Sequence, residues 1–275
     1  MSGTSLPAGL PAGAAPGSLP GGPARTARNV VVWEVLSAAV ADAQAARGPD
    51  SQEKAAHEAL EVVDVGGGTG GFAVPLAEAG HRVTVVDPSP DALAALSRRA
   101  DERGLADRVR AVQGDLDDLA TLVDADSADL VLCHSVLQVV DDPVAALATL
   151  AGVLRPGGRL SLLVGNRDAA VLARALAGRP DEAARVLTDP AGRWGPADGV
   201  PRRWTPAQVT ELVTAAGLHV EQLHGVRVVA DLVPSALLDA EPGAAAALLA
   251  LERTLADRPP FRDLATQLHV LAVRR

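Results

Sequence analysis

One stretch, Glu61 to Gly71 (EVVDVGGGTGG), limits what this chain can fold into more than any other. The apolar run from Leu60 to Val65 is β-branched in its middle, as in a strand buried on both faces, and it stops at five glycines interrupted only by Thr69. Phe72, Val74, Leu76 and Ala77 then recur at spacings that suit a helix, so the unit reads strand, glycine loop, helix. With no Cβ atoms in the way, the backbone N–H groups of such a loop approach a ligand closely. Five glycines also lose much chain entropy on ordering, which makes a loop that binds nothing a poor reading.

The segments that follow alternate strand and helix and imply a parallel sheet covered on both faces. Strands are expected at Leu60 to Val65, Arg82 to Asp87, Val109 to Gln113, Ala128 to Cys133 and Gly158 to Val164. Helices are expected to start near Gly71, Pro90 and Pro143, with Pro90 and Asp91 suited to a first turn and Gly104 to a helix end. Pro206 to Ala216 reads as a helix ending at Gly217, followed by a sixth strand through LHVEQLHGVRVVADLV. An alanine-rich helix over Pro234 to Arg258 and an antiparallel last strand, Thr266 to Val273, complete a seven-stranded sheet. Upstream, Thr26 to Ala46 reads as an N-terminal helix laid on the sheet, joined to the first strand by a polar linker at Gly48 to Glu58.

Two ligands compete for the glycine loop. Gly66, Gly68 and Gly71 satisfy G-x-G-x-x-G, the dinucleotide fingerprint, whereas Asp64, Gly66, Gly68 and Gly70 satisfy the D-x-G-x-G-x-G pattern of S-adenosylmethionine (SAM) enzymes. Asp87, ending the second strand, suits the ribose hydroxyls of either. Three further features favour SAM: Asp64 at the end of the first strand, Asp115 and Leu116 after the third, and LRPGG before the fifth. With them the chain resembles the class I SAM-dependent methyltransferases, whose Rossmann-like, mostly parallel sheet of seven strands it is expected to share. Asp64 would then receive the methionine amino group, and Asp115 would stand where adenine is held.

Composition narrows the setting. One cysteine, Cys133, excludes a disulfide framework, suits a reducing cytoplasm, and lies inside a strand as a buried thiol would. Residues 1–24 hold Gly, Pro, Ala, Ser and Leu without period and read as a disordered leader, leaving 25–275 as one methyltransferase domain. The leader has no secretory pattern, and no later apolar run is long enough to span a bilayer, so a soluble cytoplasmic protein without metal is expected. A net charge of −9 leaves no broad basic field for nucleic acid, so any such contact must use a local arginine patch.

Residues 165–204 carry such arginines. This segment follows strand five at the rim above the expected cofactor, where an inserted cover selects substrate, and it contains Trp194, Arg202, Arg203 and Trp204. Arginines beside exposed tryptophan suit a nucleotide, and they equally suit a packed cover with solvated charges. His134, at the end of strand four, is a candidate for lining the transfer site or acting as a base, whereas Asp141 and Asp142 suit a helix cap.

A narrower resemblance rests on Arg28 with Trp33, VVDVGGGTG, CHSVLQVVDDP, LRPGGRLSLLVGN, HGVRVVADLVP, LLALERTLADRPPF and the terminal HVLAVRR. In this order they resemble the bacterial tRNA 5-carboxymethoxyuridine methyltransferase family, which methylates the carboxylate of a modified wobble uridine. The resemblance implies cofactor contacts from Arg28, Gly66, Gly68, Asp87, Asp115 and His134. It also implies that Arg227 holds the substrate carboxylate or the nearby RNA backbone. The sequence departs from the family in the basic stretch after strand five, reduced here to Arg202 and Arg203, and in the replacement of an aromatic residue at ATQLHV. A carboxylate is already ionised at neutral pH, so its methylation requires placement rather than a base, which matches a chain without Tyr and without a clear His/Asp pair. A small-molecule O- or N-methyltransferase of specialised metabolism, and a non-catalytic SAM- or nicotinamide-binding module, remain the alternative readings.

Overall fold

A computed structural model of the chain describes residues 29–45, 59–234 and 242–275. The expected leader, Arg28 and the expected linker lie outside the described residues.

Seven strands form one sheet in the order β3-β2-β1-β4-β5-β7-β6. They are β1 (Glu61–Val65), β2 (Arg82–Asp87), β3 (Val109–Gln113), β4 (Ala128–His134), β5 (Leu154–Gly165), β6 (Leu218–Val226) and β7 (Gln267–Arg274). β1 to β5 pair in parallel, and β7 lies antiparallel between β5 and β6. The helices are α1 (Val30–Ala45), α2 (Ala73–Glu78), α3 (Pro90–Asp101), α4 (Leu119–Leu122), α5 (Pro143–Val153), α6 (Arg167–Leu176), α7 (Pro180–Thr188), α8 (Pro206–Ala215) and α9 (Ala244–Leu255). No helix among the described residues is long and apolar enough to cross a membrane.

Strand periodicity divides the core into two layers. Val62, Leu130, Leu132, Leu163 and Leu271 face α1, α2 and α3. Val63, Val65, Val131, Cys133, Leu160 and Leu162 face α5 and α8. Both layers are apolar because the parallel strands are buried on both faces. Burial pushes the Cys133 thiol up to about 12, so the group is an inert part of the second layer.

The helix starts follow local chemistry. Ser89 accepts the Ala92 N–H ahead of Pro90, Asp142 accepts those of Val144 and Ala145 ahead of Pro143, and Thr205 forms a capping box with Gln208.

Three local expectations change in the structure. LRPGG is not a turn ahead of β5 but a bulge within it: Ala128 pairs with Leu154, and the next pair is Leu130 with Arg159. Strand β6 ends at Val226 rather than running on through VRVVADLV, because Arg227 turns the chain at φ +62°. The glycine-loop helix begins at Ala73, since the loop itself occupies residues 66–72.

Candidate functional site

The order β3-β2-β1-β4 reverses direction between β1 and β4, and in an open parallel sheet the crevice for a ligand lies beyond the strand ends at that point. A cleft of about 510 Å³ opens there. It is lined by Val65 and Gly66 after β1, Val86, Asp87 and Pro88 after β2, and Asp115, Leu116 and Asp117 after β3. His134 and the loop after β4 close it.

The loop's shape comes from the glycines and from Asp87. Gly66 has φ +70°, and a Cβ on it would lie 2.2 Å from Val136 Cγ2, so no side chain fits between the loop and the segment after β4. The Gly68 N–H donates to Asp87 Oδ2 at 2.9 Å, and the Ser89 N–H donates to Oδ1 at 2.9 Å. These bonds fix a nearly buried carboxylate at the cleft wall, as an acceptor for paired hydroxyls requires. Gly70 abuts Leu96 on α3, where a Cβ would meet Leu96 Cδ1 at 2.4 Å. Asp115 Oδ1 accepts the N–H groups of Asp117 and Asp118 at 2.9 and 3.2 Å, holding the rim after β3.

Asp64 lies beneath the loop rather than on the cleft wall. A Cβ on Gly67 would fall 2.5 Å from Asp64 Oδ2, and that oxygen is buried without a hydrogen-bond partner. Burial first, and then the charge of Asp87, raise the Asp64 carboxyl to about 7. A carboxylate held in this way is relieved by a cation arriving above it. The described part of this cleft therefore fits SAM: glycine backbone at the turn, Asp87 for ribose hydroxyls, and an orphaned acid beneath for the ammonium group.

His134 also lines the cleft. Its Nε2 lies 2.8 Å from Ser161 Oγ, its ring meets Phe72 edge-on at 4.6 Å, and Phe72 stacks on Trp33 at 4.7 Å. Burial lowers the imidazole to about 3, so it is neutral and a weak base.

A model of the methyltransferase domain matches residues 63–162, the span that builds this cleft. The tRNA 5-carboxymethoxyuridine methyltransferase of Escherichia coli (strain K12) is 31% identical over 245 residues, covering 89% of this chain and 87% of the relative. The chain belongs to this family of class I SAM-dependent methyltransferases. SAM is therefore the cofactor of this methyltransferase. A ubiquinone biosynthesis O-methyltransferase from Xanthomonas axonopodis pv. citri (strain 306) is 34% identical over 165 residues, covering 60% of this chain and 65% of that protein. Among solved structures, a SAM-dependent methyltransferase from Mesorhizobium loti aligns with TM-score 0.54 at 22% identity, covering 86% of this chain and 98% of the other. That likeness is one of fold.

A second pocket of this methyltransferase, about 240 Å³, opens beside the first. The loop after β4 separates the two: Ser135 and Val136 face the SAM cleft, while Gln138 faces the second pocket. Ser135 has φ +63°, and the Gln267 amide donates to its hydroxyl at 3.3 Å. Gln138, Asn166, Arg174, Trp194, Arg203 and Arg227 contribute polar or aromatic walls, and Arg174 is paired with Glu182 at 3.3 Å. Arg174 lies over the Trp194 ring at 4.9 Å. Arg227 Nη2 is 2.5 Å from Asp231 Oδ2, and its Nε is buried without a partner.

The arginines named from the sequence have separate fates. Arg227 and Arg203 come together at the second pocket, but the fork of Arg203 is engaged by Asp198 at 2.7 and 2.9 Å and by the Gly192 carbonyl at 3.0 Å. Arg202 donates to the Val140 carbonyl at 2.9 Å and ties the cover to the loop after β4 from outside the pocket. Arg174 and Trp194 join them through the cover, which carries α6, α7 and the segment after them.

Proposed function

We propose that this methyltransferase transfers the SAM methyl group to the carboxylate of 5-carboxymethoxyuridine in tRNA. The observation that carries the reading is the second pocket, where Arg174, Arg203 and Arg227 converge: Arg174 and Arg203 are paired with Glu182 and Asp198, whereas Arg227, paired with Asp231 through Nη2, keeps an Nε without a partner among the described residues. A small-molecule enzyme for neutral acceptors calls instead for a closed apolar pocket. A guanidinium such as Arg227, with Nε unpaired, presents the planar donor geometry that a carboxylate accepts. The similarity to the tRNA 5-carboxymethoxyuridine methyltransferase of Escherichia coli supports the same acceptor.

The chemistry required of the protein is binding and orientation. SAM, when bound, supplies a methyl group on a positively charged sulfur. A carboxylate oxygen forms the new bond as the sulfur–carbon bond breaks, and no proton has to be removed. The candidate base, His134, is not suited to an acceptor that must lose a proton, because burial holds it neutral with a low affinity for protons. Gln138, on the loop shared by both pockets, is in position to orient the acceptor across the partition.

The test is transfer of labelled methyl from SAM to tRNA bearing 5-carboxymethoxyuridine, with Arg227→Ala alongside. Base-labile label on the RNA, strongly reduced in the variant, is the expected result. No label on RNA while calorimetry still detects SAM binding would overturn the tRNA acceptor and turn the search to small carboxylic acids.

A further inference from the structure

Three histidines share one level of the sheet on the face covered by α1. His134 pairs in register with Leu163, Leu163 with His269, and His269 with His224, so the row crosses β4, β5, β7 and β6. Ser161, two residues before Leu163 and on the same face, bridges the first two. Its Oγ lies 2.8 Å from His134 Nε2 and 2.7 Å from His269 Nε2. Ser161 and His269 are fully buried, and burial lowers both His134 and His269, so the two rings are neutral.

Counting protons restricts this arrangement. Ser161 Oγ has no third partner among the described residues, so its one proton goes to one Nε2 while its oxygen accepts the N–H of the other. One ring therefore carries its proton on Nδ1 and the other on Nε2. Neither Nδ1 has a hydrogen-bond partner among the described residues. An orphaned buried N–H is rarer and more costly than a buried acceptor left bare. Both Nδ1 atoms are covered in the unliganded protein, but His269 is fully buried in the core, whereas the His134 ring lines the first cleft, the place from which a ligand oxygen would reach its Nδ1.

We infer that Ser161 and His269 are positioning residues that hold His134 in the tautomer with its proton on Nδ1, making it a hydrogen-bond donor to an oxygen of the bound ligand. The chain runs from His269 Nε2–H to Ser161 Oγ and from Ser161 O–H to His134 Nε2. The inference rests on SAM occupying this cleft.

Nitrogen-15 spectra of the histidine-labelled full chain, with His134 and His269 identified by His134→Gln and His269→Gln, read the tautomers directly. A protonated Nδ1 on His134 and a protonated Nε2 on His269 are expected before SAM is added, and the His134 Nδ1 signal should move on its addition. The reverse pattern, or no response of His134 to SAM that calorimetry shows is bound, overturns the inference. Ser161→Ala should release His134 to the other tautomer and weaken SAM binding roughly five- to tenfold, the worth of about one hydrogen bond. Ser161→Thr should retain both properties. His269→Gln, whose amide can still donate to Ser161, should preserve the His134 tautomer, and His269→Leu should lose it. A merely structural role predicts lower stability in these variants with the His134 tautomer unchanged. If the Ser161 and His269 variants fail to fold, the wild-type spectra still decide. Failure of the wild-type chain to bind SAM would instead refute the cofactor assignment.

Discussion

Glu252→Gln tests how the turn at Arg227 is held. Glu252, on α9, is fully buried and accepts three backbone N–H groups: Val228 on Oε2 at 3.0 Å, and Val229 and Ala230 on Oε1 at 2.7 and 2.6 Å. These residues directly follow Arg227, whose backbone lies in the left-handed region. With Gln, the better orientation keeps the oxygen on Val229 and Ala230 and sets an N–H₂ group against the Val228 N–H. One charge-assisted bond is lost and two weaken, for a loss of roughly 2–4 kcal/mol. For a domain of this size that corresponds to a fall in Tm of about 4–16 °C. Thermal denaturation measures the stability, while initial rates and calorimetry separate the acceptor from the cofactor. Because the turn borders the second pocket and not the SAM cleft, the acceptor KM should rise severalfold while SAM affinity stays within about twofold. A variant with unchanged Tm, or one that loses SAM affinity and acceptor affinity equally, would refute this role for Glu252.

Three further outcomes follow from the same geometry. Asp64 binds its proton more tightly folded than unfolded, so its contribution to stability is present at low pH and lost as pH rises from about 4 to about 7, by roughly 4 kcal/mol. Asp64→Asn should flatten that dependence in denaturant titrations, and SAM binding near pH 6 should release a proton from wild type, detected by calorimetry in buffers of different ionisation enthalpy. Gly66→Ala places a Cβ 2.2 Å from Val136 Cγ2 at φ +70° and should cost about 1–3 kcal/mol of stability, with a marked loss of SAM affinity measured by calorimetry. Trp194→Ala removes the ring beneath Arg174 and should raise the acceptor KM while leaving SAM affinity unchanged, as steady-state rates and calorimetry will show.

The SAM half of the molecule is legible in the sequence because each of its features has a local cause. Strand ends are marked by acids, the turn by glycines, and the helix starts by Ser89 and Asp142 ahead of proline. The acceptor half depends on contacts between distant segments. Nothing local distinguishes Arg203, engaged by Asp198, from Arg227, whose Nε remains unpaired. Nor does local pattern reveal that β6 stops at Val226, since VRVV continues its β-branched character and the Glu252 carboxylate that captures the turn comes from the distant α9. Some overlooked residues do leave a trace. Ser161 and His269 interrupt the apolar runs LSLLV and LHVLAV, and Glu252 lies four residues after Leu248 on the buried stripe of its helix. A polar residue in the middle of a buried stripe needs a partner, and here the partners are one another or the backbone of the turn after Arg227.

The walls of the two pockets come from different parts of the chain. Residues 63–162, which the methyltransferase-domain model covers, supply every strand end that lines the first cleft. The walls of the second pocket come almost wholly from residues 165–274, through the cover, the Arg227 turn and the start of β7, with Gln138 as the member from the SAM half. The ubiquinone O-methyltransferase matches 60% of the chain, whereas the tRNA methyltransferase matches 89% and so must extend into the acceptor side. The segments GVRVVADLVP and LLALERTLADRPPF meet at Glu252. Their joint presence is accounted for physically: an arginine held at φ +62° needs its following N–H groups captured, and a buried glutamate on a separate helix captures three of them. Substitutions that alter the acceptor should therefore cluster in the cover and at this turn, and those that abolish SAM binding should cluster between Asp64 and His134.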